Sequence, residues 1–348
     1  MENLYNKQKE YNDAVKKTVQ EMESNEVNKT EVNKTEVNKE NSVLITSEKK
    51  DLGKVSDFSP SNKITEHVSH EEEKEIIKRR QKYIDLKMEN LPSQGRFYPY
   101  GTKISIRPAE VKEIRDFSTI EEEYMLDVND KLNNMLIACT YVDIPGKMGS
   151  YKDILEEDRF YIILSIRELT FVDGESQLIQ SHVCTQCETE NKIKIKTINL
   201  DFNSLEENLL KYYNPETAVF EIKTKSLGEF TMAPPNVGVM KVITDFIKEK
   251  QEKNQKWDKD FLQILPYIQT DWRNFNKKIL FDKLVEFQGW SKEKFLLVYN
   301  LADKMKIGVK KELTHFCEKC GSEMKVPLSF PGGLKSLFVP TNVMDELI

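Results

Sequence analysis

Beyond about residue 91 the apolar positions recur with the spacings of short strands and amphipathic helices; before it they are sparse and without period. Lys103–Arg107 (KISIR) alternates polar and apolar residues as a short strand does, and Pro108 is placed to open a helix through about Phe117. Glu121–Ala138 carries Tyr124, Leu126, Val128, Leu132, Met135 and Leu136 on an approximate apolar face, and Cys139 ends the stretch as a lone core thiol. After a Pro145-Gly146 turn, Asp153–Phe171 is apolar on nearly every side between Phe160 and Leu169, and its length favours a buried helix over a central strand. The pattern then alternates. Ser176–His182 and Lys192–Lys196 read as strands flanking Cys184 and Cys187, and Val219–Thr224 with Glu229–Met232 reads as a hairpin closed by Gly228. Pro234-Pro235-Asn236 is a stop-and-cap signal for a helix from Val237, where Val239, Met240, Ile243, Phe246 and Ile247 recur at three- and four-residue spacing. Further helices are predicted at Asp258–Tyr267, Trp272–Glu286 and Ser291–Met305, the last with Phe295, Val298, Tyr299, Ala302 and Met305 as its inward stripe.

The N-terminal part has another character. EVNKT, EVNKT and EVNKE repeat over Glu26–Glu40, and a five-residue period places Val27, Val32 and Val37 on no common face of a helix or strand. With so few apolar residues, burial cannot offset an ordering cost of about 1–2 kcal/mol per residue. Residues 1–70 therefore read as a disordered polar arm. Glu71–Glu89 has an acidic first turn, a basic middle and Ile76, Ile77, Tyr83, Ile84 and Leu86 as its apolar residues, so 71–90 is predicted to be a lead-in helix. Leu91–Gly101 crowds turn formers and aromatics into an entry loop. Phe97 and Tyr98 there have two readings, an interface with a partner across Leu91–Pro108 or a place in the chain's own core.

Composition sets outer bounds. The chain has 348 residues, 52 Lys+Arg against 58 Asp+Glu and a net charge of -6. A protein whose task was to neutralise phosphates would need clustered, uncompensated basic residues, so nucleic acid is not expected as a partner. No run approaches the roughly 18–20 apolar residues of a membrane helix, and the polar N-terminus lacks the apolar core of a signal peptide. Five cysteines, four of them in two C-x-x-C pairs, argue for metal or redox chemistry rather than an extracellular disulfide framework.

Cys184-Thr-Gln-Cys187 and Cys317-Glu-Lys-Cys320-Gly321 each match half of a four-thiolate zinc ribbon, two ligands on a tight turn between strands. Brought together they would supply the four ligands of one structural zinc ion: Cys184, Cys187, Cys317 and Cys320. The long intervening stretch, with a helical insertion at 237–306, is no objection, since loop closure costs only slowly more with length. Other readings stay open at this point. A redox dithiol would want a C-x-x-C at a helix N-terminus, and neither pair precedes an amphipathic helix. The pairs could also be buried cysteines with no ligand role. A catalytic zinc would need an open position, which a four-cysteine shell lacks. His182 and His315, each two residues before a cysteine, could substitute as ligands but read more simply as strand-flanking surface residues. Pro145-Gly146-Lys147-Met148 fails as a phosphate-binding loop because Tyr141 stands at the required first glycine and Met148 at the Ser/Thr position. No catalytic constellation and no small-molecule substrate site is found, so the chain is not expected to be an enzyme. The predicted fold class is α+β: a helical body with small β units, a zinc-ribbon-like four-cysteine element and a disordered N-terminal arm.

The run Leu91-Pro92-Ser93-x-Gly95-x-Phe97-Tyr98-Pro99-x-Gly101, then Ile104-x-Ile106-Arg107-Pro108 and Val111–Ile114, resembles the opening signature of T-even-type bacteriophage baseplate hub proteins. Asp158-Arg159-Phe160-Tyr161 leading to Ile166–Phe171, the Cys184-x-x-Cys187 unit, and Cys317-x-x-Cys320-Gly321 with Leu328-x-Phe330 are similar to other parts of that family. The resemblance covers about Leu91 to Phe338, within a hub-like body of 91–348; the N-terminal arm departs from it. It implies a non-enzymatic structural or assembly protein of a contractile-tail phage. Its partners would be other hub or tail proteins, and its place the host cytoplasm during assembly, with the baseplate of the virion tail as a further location. The alternative is a zinc-ribbon adaptor of phage transcription or replication machinery, for which the acidic balance is unfavourable.

Overall fold

The computed structural model describes residues 83–171, 178–269, 271–330 and 332–339; the arm predicted at 1–70 and the 71–82 part of the lead-in helix lie outside the described residues. The architecture is mixed α+β. Strands β1 (Ile84–Asp85), β2 (Lys103–Ile106) and β3 (Thr140–Asp143) form an antiparallel sheet in the order β1-β2-β3, with helices α1 (Val111–Ser118) and α2 (Met125–Cys139) between β2 and β3. Helix α3 (Glu156–Thr170) follows, then the hairpin β4 (Ile179–Val183) and β5 (Glu190–Lys194), β6 (Phe202–Asn203) and the short α4 (Glu207–Leu210). Strands β7 (Tyr213–Asn214), β8 (Val219–Thr224) and β9 (Gly228–Met232) make a second antiparallel sheet. Helices α5 (Val237–Glu252), α6 (Lys259–Ile268), α7 (Lys277–Gln288) and α8 (Lys292–Lys304) come next. Strand β10 (Gly308–Val309) pairs with β6, and the hairpin β11 (Glu312–Phe316) with β12 (Glu323–Pro327) follows.

Helix α3 is the centre of the core. Ile162, Ile163, Leu164 and Ile166 are each at most 2% exposed, and burial of such side chains contributes about 1.5–3 kcal/mol apiece. A helix apolar on nearly every side needs neighbours on nearly every side, and α2, α5, β2 and β10 supply them.

Several element boundaries differ from the sequence expectation, each for a local reason. Residues 83–90 are strand β1 and a 3-10 turn at Met88–Asn90 rather than the end of a helix: β1 pairs with β2, and the Ser105 hydroxyl donates to Asp85 at 2.6 Å. Helix α1 starts at Val111, not Pro108, because Glu110 caps it: the Glu110 amide donates to Glu113 Oε2 at 2.6 Å in a reciprocal capping box. Helix α2 starts at Met125, and the Glu121 amide upstream donates to Asp127 at 2.7 Å. Helix α7 waits for the Asn276 cap, while Trp272 stays outside the helix, donating to Asp153 at 2.8 Å. The first two residues of the strand predicted at Ser176–His182 lie outside the described residues; β4 ends one residue beyond that prediction, and β5 begins and ends two residues before Lys192–Lys196.

The entry loop resolves in favour of the core. Phe97 and Tyr98 are buried, so neither ring offers a partner surface. Phe97 lies between Tyr213 and Phe220 with ring centroids 5.0 and 5.2 Å away. The loop is latched to α3 by one carboxylate. Asp158, fully buried, accepts from the Ser93 amide at 2.8 Å, the Ser93 hydroxyl at 2.6 Å and the Tyr98 hydroxyl at 2.8 Å; the Tyr98 oxygen accepts in turn from the Leu155 amide at 3.0 Å. Gly95, at φ +74°, lets the loop pass Met88, whose Cβ would be 3.0 Å from an added Cβ.

Burial pushes the Asp158 carboxyl up from 3.8 to about 6, against the lowering effect of its Ser93 and Tyr98 hydrogen bonds. The group binds its proton more tightly folded than unfolded, so folding takes up a proton between those values, and stability from this group rises as pH falls through that window. Asp158→Asn should flatten this component of the pH–stability profile measured by urea denaturation. Asp158→Ala, which strands three buried donors, should cost about 3 kcal/mol or more in the same assay.

Candidate metal centre

The four-cysteine element is assembled from two hairpins remote in sequence. Each C-x-x-C occupies the turn of an antiparallel pair, β4 with β5 and β11 with β12. In the first turn the Cys184 amide donates to the Thr189 carbonyl and the Glu188 amide to the Cys184 carbonyl, both at 2.9 Å. In the second the Cys317 amide donates to the Ser322 carbonyl and the Gly321 amide to the Cys317 carbonyl, again both at 2.9 Å. The halves correspond residue for residue in sequence and strand register at the spacing of 133 that separates Asn191 from Met324. At that spacing His182 matches His315, Glu190 matches Glu323, Lys192 matches Lys325, and the strand pairs Val183–Glu190 and Phe316–Glu323 correspond. Burial follows the same alternation in β4 and β11, and in β5 and β12.

The sulfurs of Cys184, Cys187, Cys317 and Cys320 all lie within 4.8 Å of one another, and no other cluster of three or more metal-ligating side chains occurs among the described residues. Across the hairpins, Cys184 Sγ is 3.7 Å from Cys320 Sγ and Cys187 Sγ is 3.6 Å from Cys317 Sγ. A tetrahedron of sulfurs with metal–sulfur bonds of about 2.3 Å has edges of about 3.8 Å. Donor number, donor type and spacing thus all fit a four-coordinate thiophilic ion. His182 and His315 are half-buried beside the site but stand outside the sulfur cluster. Neither C-x-x-C begins a helix, which removes the geometry a redox dithiol uses.

Polar groups favour thiolate at Cys184 and Cys317, whereas the Cys187 thiol is pushed up: Thr189 lowers it, but the neighbouring Cys320 and Cys317 sulfurs raise it further. The Ser322 hydroxyl, 3.2 Å from Cys184 Sγ, and the Gln186 amide, 3.4 Å away, lower the Cys184 thiol to about 6. The Cys320 amide lowers the Cys317 thiol in the same direction. Thr189 occupies the place of Ser322 in the first half, its hydroxyl 3.3 Å from Cys187 Sγ. Cys139 is the contrast: burial pushes its thiol up to about 12, as befits an inert core residue.

The hairpins are also joined away from the sulfurs. Gln180 on β4 donates to the Pro327 carbonyl at 2.8 Å and accepts from the Ser329 amide at 3.3 Å. Asn191 on β5 accepts from the Glu318 amide at 3.0 Å. Reading C-x-x-C spacing alone passes over Thr189, Ser322, Gln180 and Asn191. The recurrence H-x-C-x-x-C-x-x-E-x-K at Cys184 and Cys317 is the sequence signal that would have marked two equivalent hairpins and their supporting residues.

The two halves differ where the turn needs a left-handed residue. Gly321 sits at φ +70°, whereas its counterpart Glu188 holds φ +56° with a side chain, at a cost of about 1–2 kcal/mol. Glu188→Gly should therefore raise stability by about 1 kcal/mol in chemical denaturation, the gain being trimmed by glycine's larger unfolded-state entropy. Gly321→Ala should lower it by about 1–2 kcal/mol; an added Cβ meets nothing within 4 Å, so the penalty is one of backbone conformation.

No curated protein and no solved structure matches the chain. A family model described as T4 bacteriophage base plate protein matches residues 83–338, a span that takes in the Asp158 latch and both cysteine hairpins. The chain accordingly belongs to the T4 bacteriophage base plate protein family.

Proposed function

We propose that the protein is a non-enzymatic structural or assembly subunit of the hub of a contractile-tail phage baseplate, built around one structural zinc ion held by Cys184, Cys187, Cys317 and Cys320. The family assignment supports a baseplate role. The observation that carries the zinc is the sulfur cluster, whose cross-hairpin distances of 3.6 and 3.7 Å match a thiolate tetrahedron. Four thiolates fill the coordination shell, so the ion would serve as a staple and leave no position for substrate. Its task would be to tie the β4–β5 hairpin to the chain that returns after α8. The partners are other hub or tail proteins in the host cytoplasm during assembly. Among the described residues no helix is long and apolar enough to cross a membrane.

Two measurements test the two halves of this reading. In lysates of infected cells the protein should co-sediment with hub or tail intermediates; migration with replication or transcription complexes instead would overturn the baseplate role. Purified full-length protein should carry one equivalent of zinc, and a strong chelator should lower its melting temperature, since structural zinc contributes on the order of 10 kcal/mol to small metal-dependent units. Cys184→Ser should do the same without chelator. Metal-free protein as stable as the zinc-loaded form would remove the staple.

A further inference from the structure

The two cysteine hairpins repeat each other closely, and the place where they diverge is informative. At the position after the matched Glu190 and Glu323, one half has Asn191 and the other Met324. Asn191 is 1% exposed, so its three hydrogen-bonding groups must be met inside the protein. Its carbonyl oxygen accepts from the Glu318 amide, in the turn of the opposite hairpin, at 3.0 Å. That contact fixes the orientation of the side chain, because a backbone N–H can only donate and a flipped amide would turn its NH2 against it. The NH2 group then donates to the Thr189 carbonyl at 2.9 Å and faces Cys317 Sγ at 3.7 Å and Met324 Sδ at 3.9 Å. One side chain on the first hairpin thus touches the turn and a sulfur of the second, and Met324, at the matching place, has no donor with which to return the contact.

We propose that Asn191 is a positioning residue of the metal site. It sets the Cys317–Cys320 turn through Glu318 and donates an N–H to the Cys317 thiolate, complementing the contact that Ser322 of the second hairpin makes with Cys184 of the first. The proposal rests on the zinc reading above. A group of four thiolates around a divalent ion carries net negative charge, at a site where Cys184 and Cys317 are buried, Cys187 is half-buried and Cys320 is exposed; N–H donors to sulfur disperse that charge as the hydrogen-bond partners of metal ligands commonly do.

The test uses the full-length protein, stripped of metal and titrated with Co2+ against a competing chelator while thiolate-to-metal charge-transfer absorption is followed. Asn191→Asp keeps the acceptor for Glu318 but loses the donor; Asn191→Leu loses both; Lys192→Arg, at the exposed next residue of the strand, is the control. Both Asn191 variants should bind Co2+ about 10–100-fold more weakly than the parent, with displaced charge-transfer bands, and Lys192→Arg should bind as the parent does. Should the variants not fold, the parent loaded with NMR-active cadmium decides: scalar coupling between the metal and an Asn191 side-chain amide proton is expected, and its absence overturns the proposal. Variants that bind as tightly as the parent, with unshifted bands, also overturn it. A parent that binds no Co2+ would instead sink the metal reading itself.

Discussion

Four cysteine sulfurs held within 4.8 Å of one another, drawn from hairpins at opposite ends of the intervening sheets and helices, form the constraint around which the second half of this chain is arranged. Thiols at that spacing do not attract one another strongly, and as thiolates they repel. Around a divalent cation the same spacing becomes the edge of a coordination tetrahedron. The loop closed in this way runs through β6, the β7–β8–β9 sheet and helices α5 to α8. Its length adds only logarithmically to the entropy of closure. Auxiliary contacts between the hairpins, from Gln180 to Pro327 and Ser329 and from Asn191 to Glu318, carry the join beyond the sulfurs.

The first half is organised by a different device. The described stretch before α1, residues 83–110, has only short regular elements, and a loop such as Leu91–Gly101 must find partners for its backbone and hydroxyl groups. Asp158 supplies them from within the buried helix. The row Glu156-Glu157-Asp158 opens α3, where negative charge is favoured by the helix dipole, yet burial raises the affinity of all three carboxyls for protons. Only Asp158 is answered by three donors from the entry loop. The result is an attachment of the Leu91–Gly101 segment to the central helix, and it explains why serine and tyrosine stand where they do in that motif.

Much of this was legible in the sequence because periodicity reports burial directly. The α3 helix, the β8–β9 hairpin and the Asn236 cap follow from local pattern, and the two C-x-x-C units were paired from their shared chemistry. What was not legible depends on non-local partners. Ile84 reads as a helical residue until β2 offers it a ladder, and Phe97 and Tyr98 read equally as surface or core until Tyr213, Phe220 and Asp158 are placed beside them. Helix starts slipped where the cap was Glu110, a weak capping residue by type that is made effective by Glu113. Three supporting residues of the cysteine site were missed for a related reason: Gln180, Asn191 and Ser322 reach groups on the opposite hairpin.

The central claim is that the two hairpins meet on a metal ion, and X-ray absorption at the zinc edge of the purified full-length protein tests it most directly. A single shell of four sulfur scatterers at about 2.3 Å is predicted. A shell containing nitrogen or oxygen, or sulfur coordination that persists when Cys317 and Cys320 are both replaced by serine, would contradict it.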